Sequence, residues 1–232
     1  MKISIMQPYL FPYLGYWQMI ASADKFVLFD DVNYIVRGWI NRNNILMNGQ
    51  AHLFTLPLNG ASPNKLIRDL TLQNNVKDRN KLLRSLECSY RKAPMFQTVF
   101  PIIAGIVSNG EENLVAYLLF QFREIYRYLG IEDNMLLSSE IPQDPTLKAQ
   151  NKIMGICKYL HADHYVNAIG GQSLYDRKYF EAEGIKLSFI KMNDISYRQY
   201  GGPFVPFLSI IDVLMFNTVE ETRKLLNEYT LI

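Results

Sequence analysis

The residues best placed to do chemistry lie in segment 7–16, QPYLFPYLGY, where a short apolar run ends and a helical pattern begins. Ligands of open α/β sheets bind where strands end, and a helix that begins there offers free backbone N–H groups to a phosphate. Gln7 opens this segment, Gly15 permits close approach of a ligand to the backbone, and the hydroxyls of Tyr13 and Tyr16 can hydrogen-bond phosphate oxygens. A proline-rich turn that packs its aromatic rings into the core is the alternative interpretation.

Nucleotidyltransferases place a His-x-Gly-His pattern at this point of the fold, and residues 13–16 here read Tyr-Leu-Gly-Tyr. A tyrosine hydroxyl has a pKa of about 10 and never carries positive charge. The pattern therefore favours a related fold without that nucleotidyl-transfer chemistry.

Two carboxylates are candidate catalytic groups. Asp31 follows Asp30 at the end of a second apolar run, and it could act as a general base or hold magnesium together with phosphates. Side chains in a strand alternate between faces, so at most one of the two would enter a site unless the strand has already ended; a capping role is the alternative. Asp212 stands in the apolar run 207–216, where a carboxylate needs a partner, either as part of the fold or as a base with a raised pKa.

A polar loop over residues 33–44 carries Arg37, Asn41 and Arg42. Guanidinium groups bind pyrophosphates or carboxylates through two parallel hydrogen bonds, so the loop could hold the phosphates of a nucleotide sugar. A solvated loop is the alternative, although the cluster at 38–40, Gly-Trp-Ile, argues against full solvation.

Further candidates follow later strands. Gly170 and Gly171 lie between a predicted strand and helix and could approach a ligand closely, although the dinucleotide-binding glycine pattern is absent. The polar-aromatic segment 197–200 could line a pocket. Cys157, His161 and His164 offer three metal ligands at most, so no metal site is predicted; a Cys157–His161 nucleophile pair has the right spacing but no local signature.

The elements that must position these residues form an α/β pattern. Strands are predicted at 2–6, 25–29, 134–138, 163–168 and 185–190, with an additional one at 65–73, and Asn48-Gly49 is typical of a hairpin turn. Helices are predicted at 16–22, 76–90, 96–107, 146–160 and 175–183, with another that Asn109 caps and Gly130 ends, and Thr218 caps the last. We expect a Rossmann-like, mostly parallel sheet with flanking helices, a β-hairpin insertion and a helical segment. Residues 1–232 form one domain, in which 44–130 is a candidate hairpin-plus-helices subdomain.

Composition narrows the class of protein. With 49% hydrophobic and 20% charged residues among 232, the chain is not wholly disordered, and two cysteines exclude a disulfide scaffold. A net charge of +2 gives no reason to expect a nucleic-acid partner. No apolar run reaches about 18 residues and the N-terminus lacks the features of a signal peptide, so we expect no membrane insertion and a cytoplasmic location. A homo-oligomer is compatible with the composition.

Taken together, these segments resemble the WbqC-like family. The resemblance rests on 6–16 (MQPYLFPYLGY), 24–31 (DKFVLFDD) and 38–43 (GWINRN), and it extends through Tyr165, Gly170-Gly171, Tyr175 and 207–212. It covers essentially the whole chain, and the N-terminal block is its most specific part. One departure is Met6, where many relatives carry a histidine, which puts an imidazole-based role at this strand end in doubt.

The resemblance implies a role in the biosynthesis of O-antigen and other bacterial surface polysaccharides. Some members are described as glycine or acyl transferases that act on amino sugars, so the expected partner is a small molecule, either a nucleotide sugar or an acyl donor. It implies no particular cofactor or mechanism. A non-catalytic sugar-nucleotide-binding or scaffold protein, and a nucleotidyltransferase-like enzyme, remain the alternatives. The site residues that the resemblance implies are Gln7, Tyr13, Tyr16, Asp31, Arg37, Asn41, Arg42, Tyr165, Gln199 and Asp212.

Overall fold

A six-stranded sheet forms the centre of the computed structural model, which describes residues 1–73 and 75–232. Its strand order is β10-β9-β8-β1-β2-β7, and every pair is parallel except the antiparallel pair at the β10 edge. The strands of this sheet are β1 (Lys2–Met6), β2 (Lys25–Leu28), β7 (Met135–Leu137), β8 (His164–Ala168), β9 (Lys186–Met192) and β10 (Tyr229–Leu231).

Counted along the chain, these six strands lie in the order 6-5-4-1-2-3, which is the Rossmann order read from the opposite edge. The predicted Rossmann-like α/β fold is confirmed. The order reverses between β1 and β8, so the carboxyl ends of these strands flank the position where such sheets bind ligands. Edge strand β10, which pairs with β9, was not predicted from the sequence, because its three residues are too few to show an alternating pattern.

Helices cover both faces of the sheet. They are α1 (Leu14–Ala21), α2 (Val76–Tyr90), α3 (Phe96–Val107), α4 (Leu114–Leu129), α5 (Ala149–Tyr159), α6 (Arg177–Ala182), α7 (Ile210–Phe216) and α8 (Val219–Leu225). In the chain as described, residues 1–73 and 75–232, we find no helix with both the length and the apolar character needed to span a bilayer.

Four predicted helix starts are wrong. Helix α1 begins at Leu14 rather than at 16, and side-chain hydrogen bonds explain the other three. Asn113, not Asn109, caps α4, because its side chain accepts the N–H of Ala116. Helix α5 begins at Ala149 rather than 146, since the Asp144 carboxylate binds the backbone and hydroxyl of Thr146 and holds a turn there. Helix α6 begins at Arg177 rather than 175, with Asp176 as its cap.

The predicted hairpin is confirmed as β3 (Arg42–Met47) and β4 (Gln50–Thr55), with Asn48 and Gly49 both at positive φ. The polar loop therefore ends at Asn41 rather than at 44. The strand predicted at 65–73 is wrong: a short 3-10 helix (Ile67–Asp69) interrupts it, β6 (Thr71–Leu72) pairs with β5 (Leu58–Asn59), and Leu66 forms a single bridge with Asn33. Ile67 is buried in the core, and this inward turn breaks the extended backbone.

The core has two parts, one on each face of the sheet. One cluster joins α1 and α7 with the hairpin and helices α2–α4, and Trp17, Tyr90 and Phe122 lie inside it. The other cluster packs α5 and α6 against the sheet around Tyr165 and Phe180. The proposed subdomain 44–130 thus shares one hydrophobic cluster with the α/β part of the chain.

Helix α4 is tied directly to segment 7–16. The buried Gln121 amide accepts the N–H of Phe11 at 2.8 Å and donates to the carbonyl of Tyr9 at 3.2 Å. These bonds satisfy backbone groups of Tyr9 and Phe11, which belong to no strand or helix. They fix the path of the chain between β1 and α1.

Candidate functional site

The largest of three clefts described here lies at the carboxyl ends of β1, β2 and β7 and measures about 890 Å³. We call it the Asp31 cleft. Its polar lining includes Gln7, Asp31, Arg68, Ser139, Lys148 and Lys152. The cleft therefore combines two carboxylates, of Asp31 and Asp144, with three cations at the edge where Rossmann-like sheets bind ligands.

The two adjacent carboxylates after β2 have separate environments. Asp30 is buried, and its carboxylate accepts the N–H of Ser139 at 2.9 Å and the hydroxyl of the same serine at 2.6 Å. These bonds join the ends of β2 and β7. Because Asp30 is saturated in this way, Asp31 is the carboxylate that lines the cleft.

Asp31 forms an ion pair with Lys152 of α5. Their oxygen and nitrogen atoms are 2.8 Å apart, and each side chain is only 14% exposed. Lys152 also donates to the carbonyl of Asp31 at 2.8 Å, and the Ser138 hydroxyl donates to its carboxylate at 2.5 Å. The ammonium lies 5.2 Å from the centre of the Phe29 ring. Asp31 is thus a fixed and largely water-excluded carboxylate.

A second cleft, the Tyr13 cleft, lies at the carboxyl ends of β8 and β9 and measures about 420 Å³. Its walls are mainly apolar and aromatic, and they include Tyr13, Gly15, Ile169, Phe204 and Phe207. The Tyr13 ring packs directly over Gly15, because a Cβ at that glycine would lie 2.5 Å from the ring. Burial raises the pKa of the Tyr13 hydroxyl, so this group is a neutral hydrogen-bonding partner.

Tyr16 belongs to the interior. Its side chain is 2% exposed, and its ring stacks on Phe122 with centroids 5.7 Å apart. The hydroxyl donates to the carbonyl of Gln7 at 2.8 Å. Tyr16 therefore positions Gln7 at the Asp31 cleft and has no open ring face for a ligand.

A third cleft, the Gln199 cleft, measures about 630 Å³ and is lined by Lys92, Tyr197, Arg198, Gln199, Tyr200 and Phe216, among others. Two of its lining residues, Tyr197 and Gln199, donate hydrogen bonds to the buried carboxylate of Asp212.

Asp212 is completely buried at the start of α7. Its carboxylate accepts hydrogen bonds from the Tyr90 hydroxyl at 2.9 Å, the Tyr197 hydroxyl at 2.7 Å and the Gln199 amide at 2.7 Å. Burial raises the pKa of this carboxyl, and the three hydrogen bonds oppose that effect. Its three donors come from α2 and from the segment before α7, so Asp212 joins distant parts of the chain.

The polar loop is held together by its own side chains. The Arg42 guanidinium donates to the carbonyl of Gly38 at 2.9 Å and to the carbonyl of Arg37, and it lies 5.9 Å from the Trp39 ring centre. Asn41 accepts a hydrogen bond from a neighbouring tyrosine hydroxyl and is buried. Neither arginine lines any of the three clefts. Arg37 is exposed at positive φ.

The loop after β8 contains Gly170 and Gly171 and lies beside Tyr165 and Tyr175. Tyr165 is buried, stacks on Phe180, and accepts a hydrogen bond from Asn167. Gly171 is also buried, and a Cβ there would lie 2.7 Å from the Asn167 amide oxygen, whereas Gly170 is exposed with open space around it. A side chain at position 171 would collide with Asn167, which explains why a glycine occupies this position.

The candidate residues thus divide among separate places in the fold. Gln7 and Asp31 line the Asp31 cleft, Tyr13 and Gly15 line the Tyr13 cleft, and Gln199 lines the third. Within residues 1–73 and 75–232, no group of three or more His, Cys, Asp or Glu side chains could hold a metal ion.

Sequence reasoning missed Lys152, Ser138 and Arg68. Ser138 could have been found, since it ends the strand predicted at 134–138 and strand ends meet at one edge of a parallel sheet. Lys152 is one of two lysines near the start of α5, and only its pairing with Asp31 distinguishes it from Lys148. Arg68 lies in the segment that was wrongly predicted as a strand.

A family model for the WbqC-like protein family matches residues 7–224. The chain is 28% identical to an uncharacterized protein of Mycobacterium tuberculosis over 225 residues, which is 95% of each chain. No solved structure matches significantly. The family model spans the segment before α1, the Asp31 cleft and the Asp212 network, and the chain belongs to the WbqC-like protein family.

Proposed function

We propose that this protein is an enzyme of bacterial surface-polysaccharide biosynthesis that transfers an acyl or aminoacyl group to the amine of a nucleotide-linked sugar. The observation that carries the proposal is the Asp31–Lys152 ion pair, 14% exposed on each side, in a cleft of about 890 Å³ at the carboxyl ends of β1 and β2. Membership of the WbqC-like family, some of whose members are described as glycine or acyl transferases, supports the reaction class.

Asp31 is the proposed general base. An amine must lose a proton as its nitrogen attacks a carbonyl carbon, and a fixed carboxylate at the nitrogen can accept that proton. The new C–N bond forms while the bond between the acyl carbon and its leaving group breaks. Asp31 then returns the proton to the leaving group, so the products are an amide and a protonated leaving group. The donor must be an activated acyl group, such as a thioester or ester.

Lys152 and Ser138 are proposed positioning residues. They hold the Asp31 carboxylate from two sides at 2.8 Å and 2.5 Å, so its orientation does not depend on the ligand. Arg68 and Lys148 line the same cleft and are the proposed phosphate ligands. They take the role that the sequence suggested for the two arginines of the polar loop, since the Arg42 guanidinium is bound to backbone carbonyls of that loop.

The test combines purified protein with amino-sugar nucleotides and a panel of acyl-thioester and aminoacyl donors, followed by mass spectrometry of the sugar. A mass increase equal to the acyl group, which Asp31→Asn reduces about a hundredfold or more, would support the proposal. Asp163→Asn is the matched control, because this carboxylate is 74% exposed and pairs with the chain's amino terminus at the amino ends of β1 and β8, away from the cleft.

Two other outcomes would redirect the proposal. Nucleotide-sugar binding without turnover for any donor would favour a binding or scaffold protein of the same pathway. Release of pyrophosphate from a nucleoside triphosphate would favour a nucleotidyltransferase-like enzyme and would contradict acyl transfer.

A further inference from the structure

Three large apolar side chains are exposed within five residues of the loop between β2 and β3. Ile35, Val36 and Trp39 are 52%, 51% and 42% exposed. No other stretch of five described residues exposes more than one large apolar side chain. Single exposed apolar residues are normal on protein surfaces, whereas a group of them marks a surface that contacts a partner. We call residues 35–39 the apolar loop.

Hydrogen bonds hold the backbone of the apolar loop in one shape. The Arg42 guanidinium donates to the carbonyls of Arg37 and Gly38, and the Trp39 carbonyl accepts the N–H of Leu10 at 3.0 Å. Burying the apolar side chains inside the protein would break these bonds. The loop is therefore built to present them to a partner outside the chain.

The charge around the apolar loop is positive. Residues 32–67 hold Arg37, Arg42 and Lys65 but no acidic residue, although the whole chain has 22 acidic residues against 24 basic ones. Lys65 lies beside the loop, because its carbonyl accepts the N–H of Tyr34 at 2.9 Å. Arg37 and Lys65 are exposed, and neither forms an ion pair within the described residues. This surface is complementary to a negatively charged partner.

Two kinds of partner combine negative charge with room for apolar side chains, an acidic protein surface and a membrane that contains anionic lipids. A stable protein interface buries about 800 Å² on each partner, which is far more than three half-exposed side chains of one loop supply. A short loop can instead enter the headgroup region of a membrane, where tryptophan is enriched and each cation is attracted to anionic lipids. The small size of the apolar loop, its tryptophan and its cations thus favour a lipid surface.

We propose that the apolar loop docks this protein on the surface of a membrane that contains anionic lipids, without spanning it. The loop places its three apolar side chains among the headgroups, and the neighbouring cations contact the lipid phosphates. The base of the loop borders the Asp31 cleft, since Asn33 and its bridge partner Leu66 both line that cleft. Docking therefore brings one side of the cleft close to the headgroups. The inference is independent of the proposed reaction, because it uses no property of the Asp31 carboxylate.

Sedimentation with vesicles measures the docking. We expect wild type to bind mixed vesicles of phosphatidylglycerol and phosphatidylcholine about tenfold or more tightly than vesicles of phosphatidylcholine alone, and high salt should weaken this binding. The double variant Ile35→Ser with Val36→Ser should weaken it about tenfold or more, because two apolar side chains no longer enter the lipid. Arg37→Gln should weaken it about fivefold, which is the effect of one cation near an anionic surface.

Tyr159→Ser is the matched control, because it also removes a large side chain that is 51% exposed. Tyr159 ends α5 just before β8 begins, so it lies near the amino ends of the strands, whereas the apolar loop follows the carboxyl end of β2. This variant should bind the mixed vesicles as wild type does.

Tryptophan fluorescence of wild type locates the contact without any substitution. The chain has two tryptophans, Trp17, which is completely buried, and Trp39. On the mixed vesicles the Trp39 emission should shift to shorter wavelength and should be quenched by lipids with brominated chains. If the variants do not fold, this measurement on wild type still decides the matter.

Three results would overturn the inference. They are absence of binding to the mixed vesicles at low salt, binding without a change in tryptophan emission, and unchanged binding of a folded Ile35→Ser, Val36→Ser protein. Light scattering that shows an oligomer of wild type but not of this double variant, without vesicle binding, would identify the loop as a contact between copies of the chain instead.

Discussion

The hydroxyl of Tyr90, the last residue of α2, donates a hydrogen bond of 2.9 Å to the carboxylate of Asp212 in α7, 122 residues away in sequence. The same hydroxyl accepts the backbone N–H of Leu46 in β3 at 2.9 Å. One oxygen atom thus joins a helix, a hairpin and a buried carboxylate, and each of the three elements comes from a different part of the chain.

Replacing Tyr90 by phenylalanine should lower the free energy of unfolding by about 1–3 kcal/mol, because a buried N–H and a buried carboxylate each lose a partner. Urea denaturation followed by circular dichroism measures the change. Tyr159→Phe is the control, since this tyrosine of α5 is 51% exposed, and it should change stability by no more than about 0.5 kcal/mol. Equal effects of the two variants would show that the Tyr90 hydroxyl contributes nothing to stability.

The Asp212 carboxyl should make stability depend on pH. Its pKa is raised from 3.8 by burial, so the folded state holds this proton more tightly than the unfolded state does. The resulting stabilisation is complete below the unfolded pKa and is lost as the pH rises through the raised folded pKa. We therefore expect the stability of wild type relative to Asp212→Asn to fall as the pH rises above about 4, the unperturbed carboxyl range.

Urea titrations of both proteins at a series of pH values measure this difference. A difference that instead increases with pH would mean that the three hydrogen bonds stabilise the ionised carboxylate more than burial destabilises it.

The Asp31–Lys152 pair should show energetic coupling. Lys152→Met should reduce the free energy of unfolding by about 1–3 kcal/mol, because it leaves a largely buried carboxylate without its cation. The double variant Asp31→Asn with Lys152→Met should be more stable than the sum of the single changes predicts, by about 0.5–3 kcal/mol. Additive effects in this double-mutant cycle would show that the ion pair, 2.8 Å apart, contributes no coupling.

Gly15 should not tolerate a side chain. Alanine normally stabilises a helix relative to glycine by about 1 kcal/mol, but a Cβ at Gly15 would lie 2.5 Å from the Tyr13 ring. We expect Gly15→Ala to lower the melting temperature and Tyr13→Ala to relieve this loss in the double variant. Gly105→Ala in α3 is the matched control, because nothing lies within 4 Å of its Cβ position, and it should raise the melting temperature. A stabilised Gly15→Ala protein would contradict the observed packing of Tyr13.

The two cysteines should differ in reactivity. Cys157 is completely buried, and burial raises the pKa of its thiol to about 12, so little reactive thiolate forms at neutral pH. Cys88 is exposed. A thiol reagent at pH 8 should modify one cysteine per native chain quickly and the second only after denaturation. Rapid modification of Cys157 in the folded protein would contradict this prediction and would support the hypothesis that Cys157 and His161 form a nucleophile pair.

The sequence by itself determined the class of fold and most of its elements. Strand–helix–strand runs such as 2–28 and 163–190 predict parallel pairing because the intervening helix returns the chain to the same end of the sheet. Asn48-Gly49 specifies the hairpin because both residues adopt positive φ. The N-terminal segment was also sufficient to indicate the family. These features depend on local geometry and on residue types close together in the chain, which a sequence displays directly.

Only the tertiary structure decided which charged groups meet. Asp30 and Asp31 are neighbours with equal chemistry, yet Ser139 after β7 donates two hydrogen bonds to Asp30, whereas Asp31 pairs with Lys152, 121 residues away. Likewise Arg42 binds carbonyls of its own loop, and Asp212 receives donors from two distant segments. Such pairings depend on the order of the strands in the sheet and on the direction in which the chain continues after each strand. The spacing of residues along the chain encodes neither of these.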